Sequence, residues 1–245
     1  MNWKKYWSEF PRQFSETDFK RQVQYTVGGK PVCQGTISDI ENGVIENLSI
    51  RRGDRVLDLC CGNGMFTRQI ADLCERVVGV DYSDTLIKIA GTHNKKSNIQ
   101  YINEDAIAFT GRCAEDGQRF DKILVCGAFQ YFDRRLGRAL IQNMALALEE
   151  DGKILLCGVP DAHRKSNFYN TPAKRLRHIW RMLTRRERLG VWWTKKAIQS
   201  ICAETDLACQ FHESRGQIGS HYRFDVLLTG RPLENAPRSS RRDTV

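Results

Sequence analysis

The residues with the clearest chemical meaning are one aspartate and two glycines in Val56-Leu57-Asp58-Leu59-Cys60-Cys61-Gly62-Asn63-Gly64-Met65-Phe66-Thr67. An acid inside a short apolar run, followed by Gly-x-Gly, is how a strand hands over to a helix where a nucleotide-like ligand lies against backbone amides. Glycine there allows backbone geometry and close approach that a Cβ forbids. A second acid, Asp81, ends the run Arg76-Val77-Val78-Gly79-Val80, 23 residues after Asp58. That is close to the spacing at which an acid meets a ribose, and one carboxylate can accept from both ribose hydroxyls. Asp81 or Ser83 could instead cap the helix that follows; Ser83 is the better cap, which leaves Asp81 free. For proton transfer the candidates are Tyr131, His163 and His221, a histidine being the group best suited to act as base near neutral pH.

Positioning these groups falls to an alternating pattern. Apolar runs at 55–60, 76–81, 99–103, 120–126 and 153–159 read as buried strands. Helical periodicities separate them, at roughly 64–74, from Leu86 to Ala90, and from Leu136 to Leu148, where Glu149-Glu150-Asp151 ends the helix and Gly152 stops it. The stretch from Gly111 to Gly117 reads as a polar surface loop. Upstream, Ile37, Ile40, Val44, Ile45 and Leu48 mark a further helix. Five strands alternating with helices predict an α/β protein with a parallel, doubly wound sheet.

On these residues alone, the glycine turn of another α/β protein stays open. A dinucleotide fingerprint is disfavoured, because Thr67 stands where its third glycine belongs. The register Asp-x-x-x-Gly-x-Gly resembles motif I of the class I S-adenosylmethionine (SAM)-dependent methyltransferases, with Cys60 in place of that motif's first glycine, so a slightly less free loop is expected. The likeness extends over about 100 residues and four strand ends in order. It implies a Rossmann-like sheet of seven strands, mostly parallel with an antiparallel last strand, and helices on both faces; 207–212 and 223–228 would be the last two strands. It also implies SAM as cofactor, with S-adenosylhomocysteine as its product, held by Asp58, Cys60, Gly62, Gly64, Asp81, Tyr82, Asp105, Ala106 and Cys126. In that scheme Asp105 accepts from the adenine amino group and the Ala106 amide meets the ring; a loop or capping carboxylate is the alternative for Asp105. The loop Phe129-Gln130-Tyr131-Phe132 resembles that of enzymes acting on small metabolites, sugars and peptide-bound amines. It lacks the Asn-Pro-Pro-Tyr or Asp-Pro-Pro-Tyr signature of many nucleic-acid and amide-nitrogen methyltransferases.

The predicted organisation is an N-terminal helical lid or arm (1–50), the SAM-binding core (51–159), a basic helical insertion capping the acceptor (160–193), a C-terminal helix with the last two strands (194–231), and a disordered tail (232–245). In the arm, aromatics from Trp3 to Tyr25 suggest short helices over a pocket mouth, then a turn at Gly28-Gly29; packing on the core is the equal alternative. Trp192-Trp193-Thr194 reads as the start of a helix. The net charge of +9 invites a nucleic-acid partner, but much of the excess lies in 174–188 and in the tail. For that basic helix, a solvated face, an acceptor cap and peripheral membrane contact through 172–189 all stay open. No Cys/His set has metal spacing, so no metal is expected; the nine cysteines fit a reducing, cytoplasmic setting without a signal peptide or membrane span. The expected function is methyl transfer to an O or N atom of a small-molecule or glycan-linked acceptor, anionic ones included. An RNA or protein methyltransferase is the first alternative, and a non-catalytic SAM- or nucleotide-binding module the second.

Overall fold

A computed structural model describes residues 2–184, 189–214 and 218–230. Seven strands form one sheet: β1 (Arg55–Leu59), β2 (Arg76–Asp81), β3 (Ile99–Asn103), β4 (Phe120–Cys126), β5 (Leu148–Pro160), β6 (Leu207–Glu213) and β7 (Arg223–Gly230). Their order is β3-β2-β1-β4-β5-β7-β6. The first five pair in parallel, and β7 runs antiparallel to both β5 and β6. The direction of the chain across the sheet therefore reverses between β1 and β4, and a ligand crevice opens beyond the carboxyl ends of strands at such a point.

The two-residue period of the strands divides the core. Leu57, Leu59, Ile123, Val125, Ile154 and Leu156 pack on one face, with α5 (Ala106–Glu115) and α6 (Arg134–Leu146) over them. Val56, Val77, Leu124 and Leu155 pack on the other, against Val44 and Leu48 of α2 (Gln34–Leu48) and Ile70 of α3 (Met65–Ile70). Both faces are covered, which is why the strands read as continuous apolar runs. The N-terminal segment folds as α1 (Trp3–Glu9), a short helix at Phe19–Gln22, and a hairpin of Thr26–Val27 with Lys30–Pro31 turned by Gly28-Gly29. Next to β2, α4 (Asp84–His93) is capped by Ser83, whose Oγ accepts from the Leu86 amide.

Four expectations need correction. The helix α6 ends at Leu146, and Glu149-Glu150-Asp151-Gly152 belongs to β5, which joins the sheet at Leu148 through a register shift opposite Phe120. Gly111 lies inside α5 rather than in a loop, because Phe109, Thr110 and Cys113 bury one helical face through it. The helix after the glycine turn is only Met65–Ile70. Trp192 and Trp193 are extended and precede the cap Thr194 of α8 (Lys195–Ala203), with Trp193 bridging Asp161 and fully buried. The tail expected to be disordered lies outside the described residues.

Candidate functional site

The carboxyl ends of β1, β2 and β4 open into a cavity of about 800 Å³. Asp58, Cys60, Gly62, Asp81, Tyr82, Asp105, Cys126 and Tyr131 all line it, so most of the residues singled out in the sequence come together. Ala106 is buried at the start of α5, and its neighbours Ile107 and Ala108 take the wall position expected of it. Gly64 lies behind the wall. Its φ is +76°, and a Cβ there would run into the Tyr101 ring, so its glycine serves turn geometry and packing. Gly62, also at positive φ, has Val23 of the N-terminal arm 3.0 Å from where a Cβ would stand. Cys60 adopts φ +58° without glycine's freedom, a left-handed conformation that costs a side-chain-bearing residue about 1–2 kcal/mol.

The acids occupy different environments. Asp81 accepts from the Gly62 amide through Oδ2 (3.0 Å) and from the Ser83 amide through Oδ1 (2.8 Å), so it ties the glycine turn to the end of β2 rather than standing free. Each carboxylate oxygen keeps a further lone pair for a ligand hydroxyl. Burial pushes Asp81 up to about 6, against the pull of those two amides. Asp58 accepts a 2.6 Å bond from the Thr67 hydroxyl and is pushed up to about 7, chiefly by burial, with Thr67 opposing and Asp81 adding. Asp105 is the cap of α5, its Oδ1 accepting from the Ile107 and Ala108 amides, while the residue also lines the cavity. It therefore caps the helix and lines the cavity at once.

Raised carboxyls carry a pH consequence. In the ligand-free protein Asp58 and Asp81 hold protons that the unfolded chain releases near pH 4, so their contribution to stability is present below about pH 4 and is lost as pH rises through 6 to 7. A ligand bringing a cationic group to them favours the ionised form. Binding of such a cationic ligand at pH 6 is expected to release protons and to tighten as pH rises towards 8. Titration calorimetry in buffers of different ionisation enthalpy checks this, and proton uptake would contradict it.

At the other end, aromatic rings close the cavity. Tyr131 packs against Trp3 and Trp7 of α1, with ring centroids 4.6 and 5.6 Å apart. Tyr25 reaches Cys126 Sγ at 3.7 Å, and Phe168, Tyr222 and Arg223 complete the wall. Burial pushes Tyr131 up to about 12 and raises Tyr25 and Tyr82 as well. The Gln130 Oε1 and Trp7 Nε1 atoms are buried in this wall with no hydrogen-bond partner among the described residues, an acceptor and a donor fit for a polar ligand. A bulge in β5 shapes the rim. Asp225 Oδ1 accepts from the Gly158 amide (2.7 Å) and the Ser214 hydroxyl (2.5 Å), and the Arg223 guanidinium donates to the Gly158 carbonyl.

Two expected bases are misplaced. His163 is exposed on a 3₁₀ turn whose register Asp161 fixes by accepting from the His163 amide, and His221 is exposed with its carbonyl held by Asn167. Neither lines the cavity. Sequence reasoning also passed over Tyr25, Gln130, Tyr222 and Arg223. The last two adjoin His221 at the entry to β7, and of these three neighbours only His221 is a candidate by residue type.

A family model described as "Methyltransferase domain" matches residues 56–152. A putative ribosomal RNA large subunit methyltransferase of Methanocaldococcus jannaschii, MJ1653, is 36% identical over 81 residues, covering 31% of this chain and 21% of that protein. Ubiquinone biosynthesis O-methyltransferase of Coxiella burnetii is 30% identical over 135 residues, 54% of this chain and 55% of the relative. The chain thus spans about a fifth of the first relative's length and about half of the second's. The N-methyltransferase NodS of Bradyrhizobium japonicum WM9, solved with S-adenosyl-L-homocysteine, shares the fold at a TM-score of 0.57 and 20% identity, over 78% of this chain and 85% of NodS. The matched stretch holds β1 to the start of β5, the glycine turn and all three strand-end acids: residues 56–152 are similar to a methyltransferase domain, and the chain shares the fold of NodS.

Proposed function

We propose that the chain transfers a methyl group from SAM to an O or N atom of a small-molecule or glycan-linked acceptor. The observation that carries this is one continuous cavity, with an acid-and-glycine cradle at one end and an aromatic wall holding unpaired polar atoms at the other. Bound SAM supplies the electrophilic methyl on sulfonium; the chain aligns, dries and orients. Asp81 accepts from the ribose hydroxyls, Asp105 from the adenine amino group, and Asp58, beneath the turn, supplies negative charge beside the amino-acid end. The arm before residue 50 roofs the site, and residues 160–193 contribute Phe168 and Leu189 to the acceptor side.

The acceptor end offers no histidine among its described lining residues, and burial keeps its Tyr25 and Tyr131 protonated at neutral pH. They donate hydrogen bonds and do not remove protons. That favours an acceptor needing no strong base, namely an amine delivered neutral or an acidic hydroxyl. Gln130 Oε1 is placed to accept from such a group. Arg223, for which no carboxylate partner is found among the described residues, suits an anionic substituent. Tyr131→Phe is therefore expected to keep activity within about tenfold of wild type and to leave the pH profile unshifted, whereas removing a general base costs about 10²–10⁴-fold.

Calorimetric titration with SAM, S-adenosylhomocysteine and NAD, followed by an acceptor screen, tests the proposal. Binding of the two sulfur ligands with turnover on a phenol or amine supports it. NAD binding alone would refute it. Tight SAM binding without turnover on any acceptor would favour the non-catalytic module, and turnover confined to RNA the nucleic-acid alternative.

A further inference from the structure

One helix of the fold is turned inside out. In α7 (Pro172–Leu183), Leu176, Ile179 and Trp180 share one face at i, i+3, i+4 spacing and are 74%, 55% and 53% exposed. Two polar residues of the opposite side reach the protein instead. The His178 ring stacks on buried Tyr169 with centroids 4.0 Å apart, and Arg175 Nε donates to the Tyr169 carbonyl at 3.0 Å. Such an arrangement leaves the apolar area in solvent, and the large apolar side chains of a monomer's surface seldom line up this way.

We propose that α7 is an interfacial helix that seats the cavity mouth on an anionic lipid bilayer. Charge selects this occupant. The helix itself, residues 172–183, holds four Lys or Arg (174, 175, 177 and 181) and no acid, and so carries +4 of the chain's +9. A second copy would set that charge against itself. A nucleic acid would pair with the cations but give Leu176 and Ile179 no apolar phase. A bilayer surface supplies anionic headgroups and an acyl boundary together, and Trp, Leu and Ile opposite Lys and Arg are the side chains such helices use. Twelve residues rise about 18 Å, too short to span the roughly 30 Å of hydrocarbon, so the helix lies in the plane of the surface.

The helix is flanked by the cavity's own wall. Phe168 precedes it, Leu189 follows it, and both line the cavity. On the methyl-transfer reading, an acceptor partitioned at the interface would reach the aromatic wall without crossing bulk water. Bilayer docking itself stands without that reading, and the two fail separately.

The test is sedimentation of the full chain with vesicles of phosphatidylcholine alone and of equimolar phosphatidylcholine and phosphatidylglycerol. The substitutions L176Q and I179Q, made together, change no charge and touch exposed positions. Wild type should partition at least about tenfold more strongly into the anionic vesicles, and the double variant should lose about tenfold or more of that binding. S-adenosylhomocysteine affinity, measured alongside, should stay unchanged as proof that the fold is intact. Equal, weak partitioning of wild type into both vesicles would overturn the proposal. So would undiminished binding of the double variant, which would reduce the helix to a polycation; an RNA oligomer that displaces wild type and variant equally from the vesicles would then identify nucleic acid as the partner.

Discussion

Asp81→Ala should weaken binding of SAM and S-adenosylhomocysteine by about 100-fold. The carboxylate is the shared acceptor for the Gly62 and Ser83 amides, at 3.0 and 2.8 Å, and those bonds set where the glycine turn stands relative to β2. Alanine leaves two amides short of a partner and, on the proposed reading, removes a charged acceptor for the ribose diol. Bonds to charged groups are worth about 1.5–3 kcal/mol each, so a loss of about 3 kcal/mol is expected, and every 1.4 kcal/mol is tenfold in affinity. Asp81→Asn keeps one oxygen and the side-chain volume and should fall between, near tenfold. Calorimetric titration of both variants, with circular dichroism to confirm folding, checks the order. Affinity within about threefold of wild type in the alanine variant would mean that Asp81 is a turn-holder only.

Gly64→Ala should be among the most destabilising single methyl additions in the chain. At φ +76° any L side chain is strained by about 1–2 kcal/mol, and the new Cβ would meet the Tyr101 ring. That ring cannot swing aside cheaply, because its hydroxyl donates to the Asn94 carbonyl at 2.9 Å. Overpacking adds about 1–3 kcal/mol, so roughly 3 kcal/mol in all is expected, a fall of about 10 °C in thermal midpoint for a chain of this size. Tyr101→Phe removes the oxygen that the Cβ would strike and should restore part of the loss in the double variant, although alone it costs stability. Additive losses in that double-variant cycle would show that the strain is purely a matter of backbone conformation.

What could be read from the sequence was set by how local the cause was. Strand identity and order came from apolar runs too continuous for anything but a sheet covered on both faces, and the cofactor end came from an acid and two glycines within one turn. The acceptor end resisted for the opposite reason. Trp3, Tyr25, Gln130, Phe168 and Arg223 meet only after the arm, the β4 loop, the insertion and β7 converge, and no spacing along the chain encodes that meeting. His163 and His221 were chosen by residue type, which says what a group can do but not which way it points. The acids at 149–151 misled because a negative run beside a glycine looks like a helix terminus, yet the sheet claimed it through pairing at Leu148. In α7 the apolar stripe was visible and its direction was not; orientation depends on Tyr169, which lies outside the helix.

The N-terminal arm is sewn to the glycine turn and to the residues that follow β2. Asn63 donates to the Phe19 carbonyl and to Gln22 Oε1, Ser83 Oγ to the Trp7 carbonyl, and Tyr82 to the Trp3 carbonyl. Trp3 and Trp7 in turn form part of the cavity wall. A nucleoside lodged there has the arm for a door, latched by side chains of the very loops that grip it. Its residence time is then governed by how often those latches release together, and single-turnover kinetics should outrun the steady state. Slowing of amide hydrogen exchange across residues 3–9 and 19–22 on adding S-adenosylhomocysteine would report the latching directly, minute by minute.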